Sequence, residues 1–262
     1  MTALRNIGAI VEKEWRHYFG SPIAYVGLFV WTMLFGVFFH YAFRFFLERS
    51  MRASGMEFGG GVKMSLNEFL IGPVLHNMAV VALFIAPLLT MRLFAEEKRQ
   101  GTIELLATSP LRDIEVVVGK FLAAAGLYAL MILAGLLNLA LVFYYAPTPP
   151  EWKPILTGAL ALLLLGSCFL AMGLFVSTLT RNQIVAGILS FCLFLVMWTL
   201  GWADDPSAGP LMKAVAYLGV TTHMEDMVRG VLDLKDLVFY LSVVAFGLFL
   251  AHQSVESQRW RA

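Results

Sequence analysis

The sequence predicts an all-α integral membrane protein, with six transmembrane helices, an N-terminal amphipathic interfacial helix, and short helices before the last span. Three observations predict it. Hydrophobic residues make up 59% of the 262-residue chain and charged residues 14%, with a mean hydropathy of +0.76. A soluble domain is nearer half apolar and a quarter charged. The apolar surplus is also organised, into about six runs of membrane-spanning length, each roughly 20 residues. Finally, residues 1–21 carry an apolar stripe at helical spacing beside a charged face. A soluble enzyme, a nucleic-acid reader and a disulfide-rich secreted domain all fit poorly. Lys+Arg 19 against Asp+Glu 18 gives net +1, so no basic footprint points to nucleic acid.

The N-terminal segment is not a signal peptide, because Arg5, Glu12, Lys13, Glu14 and Arg16 interrupt any apolar core. Leu4, Ile7, Val11, Trp15 and Tyr18 form its stripe, which places Trp15 and Tyr18 at headgroup depth. Gly20-Ser21-Pro22 breaks this helix, and a proline is tolerated where the next begins. The first span covers about 22–43 and ends at Arg44, Glu48, Arg49 and Arg52. A loop to about residue 72 has Gly59-Gly60-Gly61 at its centre. The second span covers about 73–94, with Pro87 removing one backbone donor inside it. A polar stretch, 95–118, leads to the third span at about 119–145, which Pro147-Thr148-Pro149-Pro150 closes. The fourth covers about 155–179, the fifth 184–203 and the sixth 237–252.

Residues 204–236 are too apolar for a simple loop. They read as short helices at about 211–218 and 223–229, with Thr222 and Glu225 as a capping box, Gly230 as the stop and Asp233 as the cap of the last span. Cys168 and Cys192 fall inside consecutive apolar runs at similar depth. They are small apolar fillers, with a contact permitted.

Orientation follows from the basic residues in the connections. With the N-terminus inside, eleven of the 19 Lys and Arg residues fall on inner segments and eight on outer ones. Both termini are therefore expected in the cytoplasm of a multi-pass plasma-membrane protein.

The segment 95–118 is the most informative. Glu96-Glu97-Lys98-Arg99-Gln100 runs into a break at Gly101. Thr102 can then cap a short helix with Glu104 in its first turn, and Ile103, Leu105 and Leu106 are apolar on a cytoplasmic stretch that Pro110 ends. Such an amphipathic helix, held between two spans, is placed to receive a mechanical input from a soluble partner.

On these residues the chain resembles the permease subunits of ABC type-2 transporters. Glu96, Glu97, Lys98, Gly101, Thr102, Glu104, Leu105, Leu106 and Pro110 match the signature between their second and third spans, and Gly119-Lys120 extends it. A second block, residues 222–233, is similar to the segment before the final helix in gliding-motility and nitrous-oxide-reductase maturation permeases. The resemblance implies one permease transmembrane domain over 1–262, in which two permease chains form the path and two ATPase subunits sit beneath. Glu96, Glu97, Lys98, Arg99, Gly101, Thr102, Glu104 and Leu105 would dock on the ATPases, together with Glu12, Trp15 and Arg16 of the interfacial helix. ATP and magnesium would sit on the partner subunit. Gly119-Lys120 continues to Phe121, where a phosphate-binding loop needs Ser or Thr, so this chain has no such loop. Export, or mechanical transmission to an extracytoplasmic accessory protein, both suit such a subunit, and neither a catalytic nor a metal site is expected. Two rival readings are an integral membrane lipid-modifying enzyme and a non-transporting scaffold.

Polar residues inside spans have two readings. His40, Arg44, His76 and Asn77 are either a substrate vestibule or ordinary interfacial placements, the second being favoured. Asn138, Ser167, Thr178 and Ser190 are expected to make interhelical hydrogen bonds. His223, Glu225 and Asp226 are read as capping and packing groups, since no second ligand pair has metal-site spacing.

Overall fold

A computed structural model describes residues 2–55, 65–102, 111–145, 151–203 and 209–259. These form helix α1 (Thr2–Gly20), α2 (Pro22–Gly55), a π-helical turn (Asn67–Ile71) leading into α3 (Gly72–Thr90), α4 (Ala95–Gln100), α5 (Asp113–Tyr145), α6 (Trp152–Leu179), α7 (Gln183–Thr199), a 3-10 turn (Leu200–Ala203), α8 (Pro210–Tyr217), α9 (Met224–Val228) and α10 (Leu234–Arg259). Among the described residues there is no strand, and six helices are long and apolar enough to cross a membrane. The protein is an all-α, multi-pass membrane protein. The glycine loop at 59–61, the proline turn at 147–150, and Ile103, Glu104, Leu105, Leu106 and Pro110 lie outside the described residues.

Helix α6 is the hub, packing against α3, α5, α7, α9 and α10. Two features of its sequence allow this. It holds the most apolar window of the six spans, and Gly158, Gly166 and Gly173 are buried along it. A Cβ at Gly166 would lie 2.1 Å from the Tyr128 ring. The missing side chain lets the Tyr128 hydroxyl donate to the Leu162 carbonyl at 3.1 Å. Small residues serve close helix approach in this way inside membranes. Helices α2, α7 and α10 are peripheral, and only 11% of the most apolar window of α2 is buried.

The spans begin and end where backbone and side-chain partners allow, rather than where hydropathy falls. Helix α2 continues to Gly55, well past the expected end, and the Arg49 guanidinium lies over the Phe45 and Phe69 rings at 4.7 and 5.9 Å. Helix α5 starts at Asp113, six residues early, because Glu115 turns back to accept the Arg112 backbone N–H at 3.3 Å. The short helices α8 and α9 match the expected positions closely.

The cysteines behave as unpaired residues, whereas most of the expected interhelical hydrogen bonds do not form. Cys168 is buried, with its thiol 3.4 Å from the Tyr240 carbonyl, while Cys192 is exposed, so the two make no pair. Asn138 and Ser167 bond carbonyls of their own helices, and Ser190 Oγ has no partner among the described residues. Of that group only Thr178 reaches another helix, lying 2.8 Å from Ser254 Oγ. A polar side chain in a helix can share the carbonyl one turn back, and that local acceptor competes with partners on other helices.

Candidate functional site

The site is built where α1 crosses the N-terminal half of α5. Gly119, Ala123 and Gly126 present small side chains at helical spacing along α5. Ile10 lies over Gly119, where a Cβ would come within 2.7 Å of its Cγ2, and Trp15 lies over Gly126. The indole N–H donates to the Ala123 carbonyl at 3.1 Å. Trp15 is thus a packing residue turned toward α5. The buried face of α1 is Ile10, Glu14 and Tyr18, and Leu4 is 79% exposed. A carboxylate therefore sits on the stripe that hydropathy alone would fill with apolar residues.

Glu14 is there because of Lys120, whose side chain is 2% exposed. Its ammonium donates to Glu14 Oε1 at 2.8 Å and to Glu97 Oε1 at 2.9 Å, and sits 5.2 Å above the Phe94 ring. Lys13 reaches the same Glu97 oxygen at 3.1 Å. Two cations and two carboxylates from α1, α4 and α5 thus meet at one point. Nearby, Asn6 donates to Glu115 at 3.0 Å, giving α1 a second tie to the start of α5.

Helix α4 is fixed from its other side by α6. The Ser177 hydroxyl oxygen accepts the backbone N–H groups of Phe94 and Ala95, each at 3.1 Å, and Lys98 donates to the Thr178 carbonyl. These contacts occupy the donors that the first turn of α4 would otherwise leave free. At its other end Gly101 takes φ +73°, a left-handed conformation that favours glycine. The Thr102 N–H then closes back on the Glu97 carbonyl at 3.0 Å.

Glu96 and Glu97 are not equivalent. The sequence expectation has both dock on the ATPases. Instead Glu97 faces inward and is shared by Lys13 and Lys120, whereas half-buried Glu96 accepts from Gln100 at 3.2 Å. Successive helical residues point about 100° apart, so an adjacent pair divides between faces. Lys98 is also turned inward, and Arg99 and Gln100 are the exposed residues of α4. Glu12 and Arg16 pair with each other on the exposed face of α1, at 2.5 Å. Lys120 and Glu14 are the residues that sequence reasoning missed. In the sequence Lys120 reads as an inner positive charge and as the end of the signature match, not as a buried partner, because its partners lie 106 and 23 positions away.

The opposite end of the bundle is closed by a second polar centre. His223 Nε2 lies 2.9 Å from the Tyr217 carbonyl, so that nitrogen carries a proton. Its Nδ1 lies 2.7 Å from Asp236 Oδ1, and the ring stacks on Phe239 at 3.9 Å. The pair joins α8, the start of α9 and the first turn of α10. The predicted capping box does not form here. His223, not Thr222, occupies the N-cap of α9, and Thr222 instead donates to the Gly219 carbonyl at 2.8 Å. A turn at 219–223 takes the hydroxyl away from the helix. Gly230 does stop α9, at φ +93°, with the Gly230 and Val231 N–H groups closing on Met227 and Asp226 carbonyls. Asp226, Asp233 and Asp236 cluster beside this centre. Lys235 lies 2.9 Å from Asp233 and 3.7 Å from Asp226, supplying counter-charge from the chain itself. His76 and Glu225 line a separate cavity of about 490 Å³ on this side, between α3, the 3-10 turn and α9, whereas His40 is exposed on α2.

Six membrane-length helices, crossed at one end by an amphipathic helix that shares buried charges with a short connecting helix, define a polytopic membrane subunit with a surface element tied into its spans. The family described as ABC-2 family transporter protein matches residues 8–250, and the chain belongs to it. It is a permease subunit of an ABC transporter. Comparison with curated proteins gave no match.

Proposed function

We propose that this permease couples ATP hydrolysis on separate ATPase subunits to export, or to mechanical transmission across the membrane, through α1 and the segment 95–118. The observation that carries the reading is the shared ionic centre. A force applied to α4 reaches α1 through Lys13 and Glu14, α5 through Lys120, and α6 through Ser177 and Thr178. A short helix so tied moves with its neighbours rather than flexing alone. Two ATPase subunits would sit against this end, which would be cytoplasmic, and a second permease chain would complete the path. The second signature block, 222–233, favours a subunit of the gliding-motility or nitrous-oxide-reductase maturation kind, working with an extracytoplasmic accessory protein.

Under this reading the residues offered to an ATPase are the exposed ones, Arg99 and Gln100, with Glu96 at their edge. Rim charges of this type set register and orientation more than affinity. Reversing two of them, Arg99→Glu with Glu96→Lys, is expected to strip ATP hydrolysis from the affinity-purified complex by at least five-fold. Lys213→Glu at the opposite end should have no effect. Equal ATPase recovery from all three preparations would remove α4 from the docking surface.

A further inference from the structure

We propose that the crevice between α1, the end of α3 and α4 binds the headgroup of a glycerophospholipid that carries both a phosphate and a hydrogen-bond donor. The crevice encloses about 700 Å³, within the range of small-molecule sites and much larger than one inorganic phosphate needs. Three of its lining residues hold buried polar atoms with no hydrogen-bond partner among the described residues: Tyr18 Oη, Arg92 Nε and Glu97 Oε2. Buried polar atoms are nearly always paired, and three unpaired ones on residues that line one crevice point to a ligand that completes them.

Two of the three donate and one accepts. Burial, and then the charge of Glu14, push the Tyr18 phenol well above its ordinary range, so it stays a neutral O–H donor. Arg92 offers a charged N–H. Together they suit the oxygens of an anion. Lys13, Arg16, Arg92 and Lys120 line the crevice against Glu14, Glu96 and Glu97, so the balance also favours a single negative charge. Glu97 Oε2 then needs a hydroxyl or ammonium beside that anion. A phosphodiester with glycerol or ethanolamine has this pattern, and choline does not, because its ammonium has no N–H.

The position selects a lipid over a soluble phosphate ester. Leu88 lines the crevice and is 55% exposed on α3, one of the membrane-length helices. Polar α4 begins seven residues later. The opening therefore spans the boundary between apolar span and charged surface, where headgroups lie and where basic pockets hold them. The crevice shares Glu96 and Gln100 with the surface assigned to the ATPase, whereas the variants that test it change Tyr18 and Arg92, which are not among the residues offered there.

The test is native mass spectrometry of the full-length chain released from nanodiscs, with phosphatidylglycerol, phosphatidylethanolamine or phosphatidylcholine as the probe. The first two lipids are expected to be retained at least five-fold more than the third. Tyr18→Phe, and separately Arg92→Gln, should each cut phosphatidylglycerol retention at least five-fold, and Arg92→Lys should restore part of it. Should Arg92→Gln not fold, Tyr18→Phe, which deletes a single oxygen, decides alone. Retention unchanged by Tyr18→Phe, or equal retention of all three lipids, overturns the proposal. Thermal stabilisation by inorganic phosphate with no lipid retained also overturns it, in favour of a soluble ligand.

Discussion

Lys120 is a cation 2% exposed to solvent, held by two carboxylates from different helices. Its replacement by an apolar side chain would leave Glu14 and Glu97 to share the exposed Lys13, at 3.9 and 3.1 Å, in place of a buried counter-charge. Removing one member of a buried ionic group costs roughly 3–5 kcal/mol, mainly because the remaining charges stay desolvated. Lys120→Met is therefore expected to lower the unfolding midpoint in detergent sharply. Adding Glu14→Gln and Glu97→Gln should recover most of the loss, since the residual charges are then gone. Failure of the triple variant to recover would mean that Lys120 acts through packing on Phe94 instead. Little of this centre was legible in the sequence. The acidic pair at 96–97 was visible as a functional mark, but nothing in its spacing says which carboxylate faces inward. Glu14 reads as part of a solvated face until a lysine 106 positions later is placed against it. Likewise His223 and Asp236 stand 13 residues apart on different helices, too far for any local motif to pair them.

At the scale of the element, span number and order were legible because apolar content alone decides whether a helix can cross lipid. Ends were not. Glu115 starts α5 early and Arg49 carries α2 on late, each through one side chain that a hydropathy window averages away. The stripe on α1 was read correctly as helical but its face was rotated, because Glu14 and not Leu4 meets the bundle. What α1 meets is the small-residue track on α5, and that gives a direct test. Gly119→Val places a branched side chain where Ile10 now sits within 2.7 Å of a modest Cβ. Overpacking of this kind costs about 1–3 kcal/mol. The expected result is a chain that still inserts and keeps its six spans, but whose α1 is cut more readily by protease and whose ATPase stimulation falls. Unchanged protease sensitivity of α1 would show that α1 is not seated by this track.

The whole molecule has two differently built ends. The end carrying α1 and α4 is ionic and shared among four helices, whereas the other is closed by short helices folded over one histidine–aspartate pair. On the proposed reading these ends lie on opposite sides of the membrane, and the basic-residue count would put α4 inside. In a chain lacking Cys192, an impermeant maleimide should label Lys213→Cys on intact cells and Gln100→Cys only after permeabilisation. The reverse pattern would invert the protein and with it the proposed ATPase surface. Inside the bundle, α6 touches α3, α5, α7, α9 and α10, so the hub carries contacts from one end to the other without an intervening loop.

The ionic centre also bears on how the chain is made. Its acids come first: Glu14 and Glu97 both leave the ribosome before Lys120. The insertion machinery therefore meets a lysine at the edge of the third span only after both counter-charges are already at the membrane. A charge near the end of a span costs less to insert than one at its centre, and a partner of opposite charge lowers that cost further. The order of synthesis therefore lets the residues that join the finished helices meet the third one as it enters.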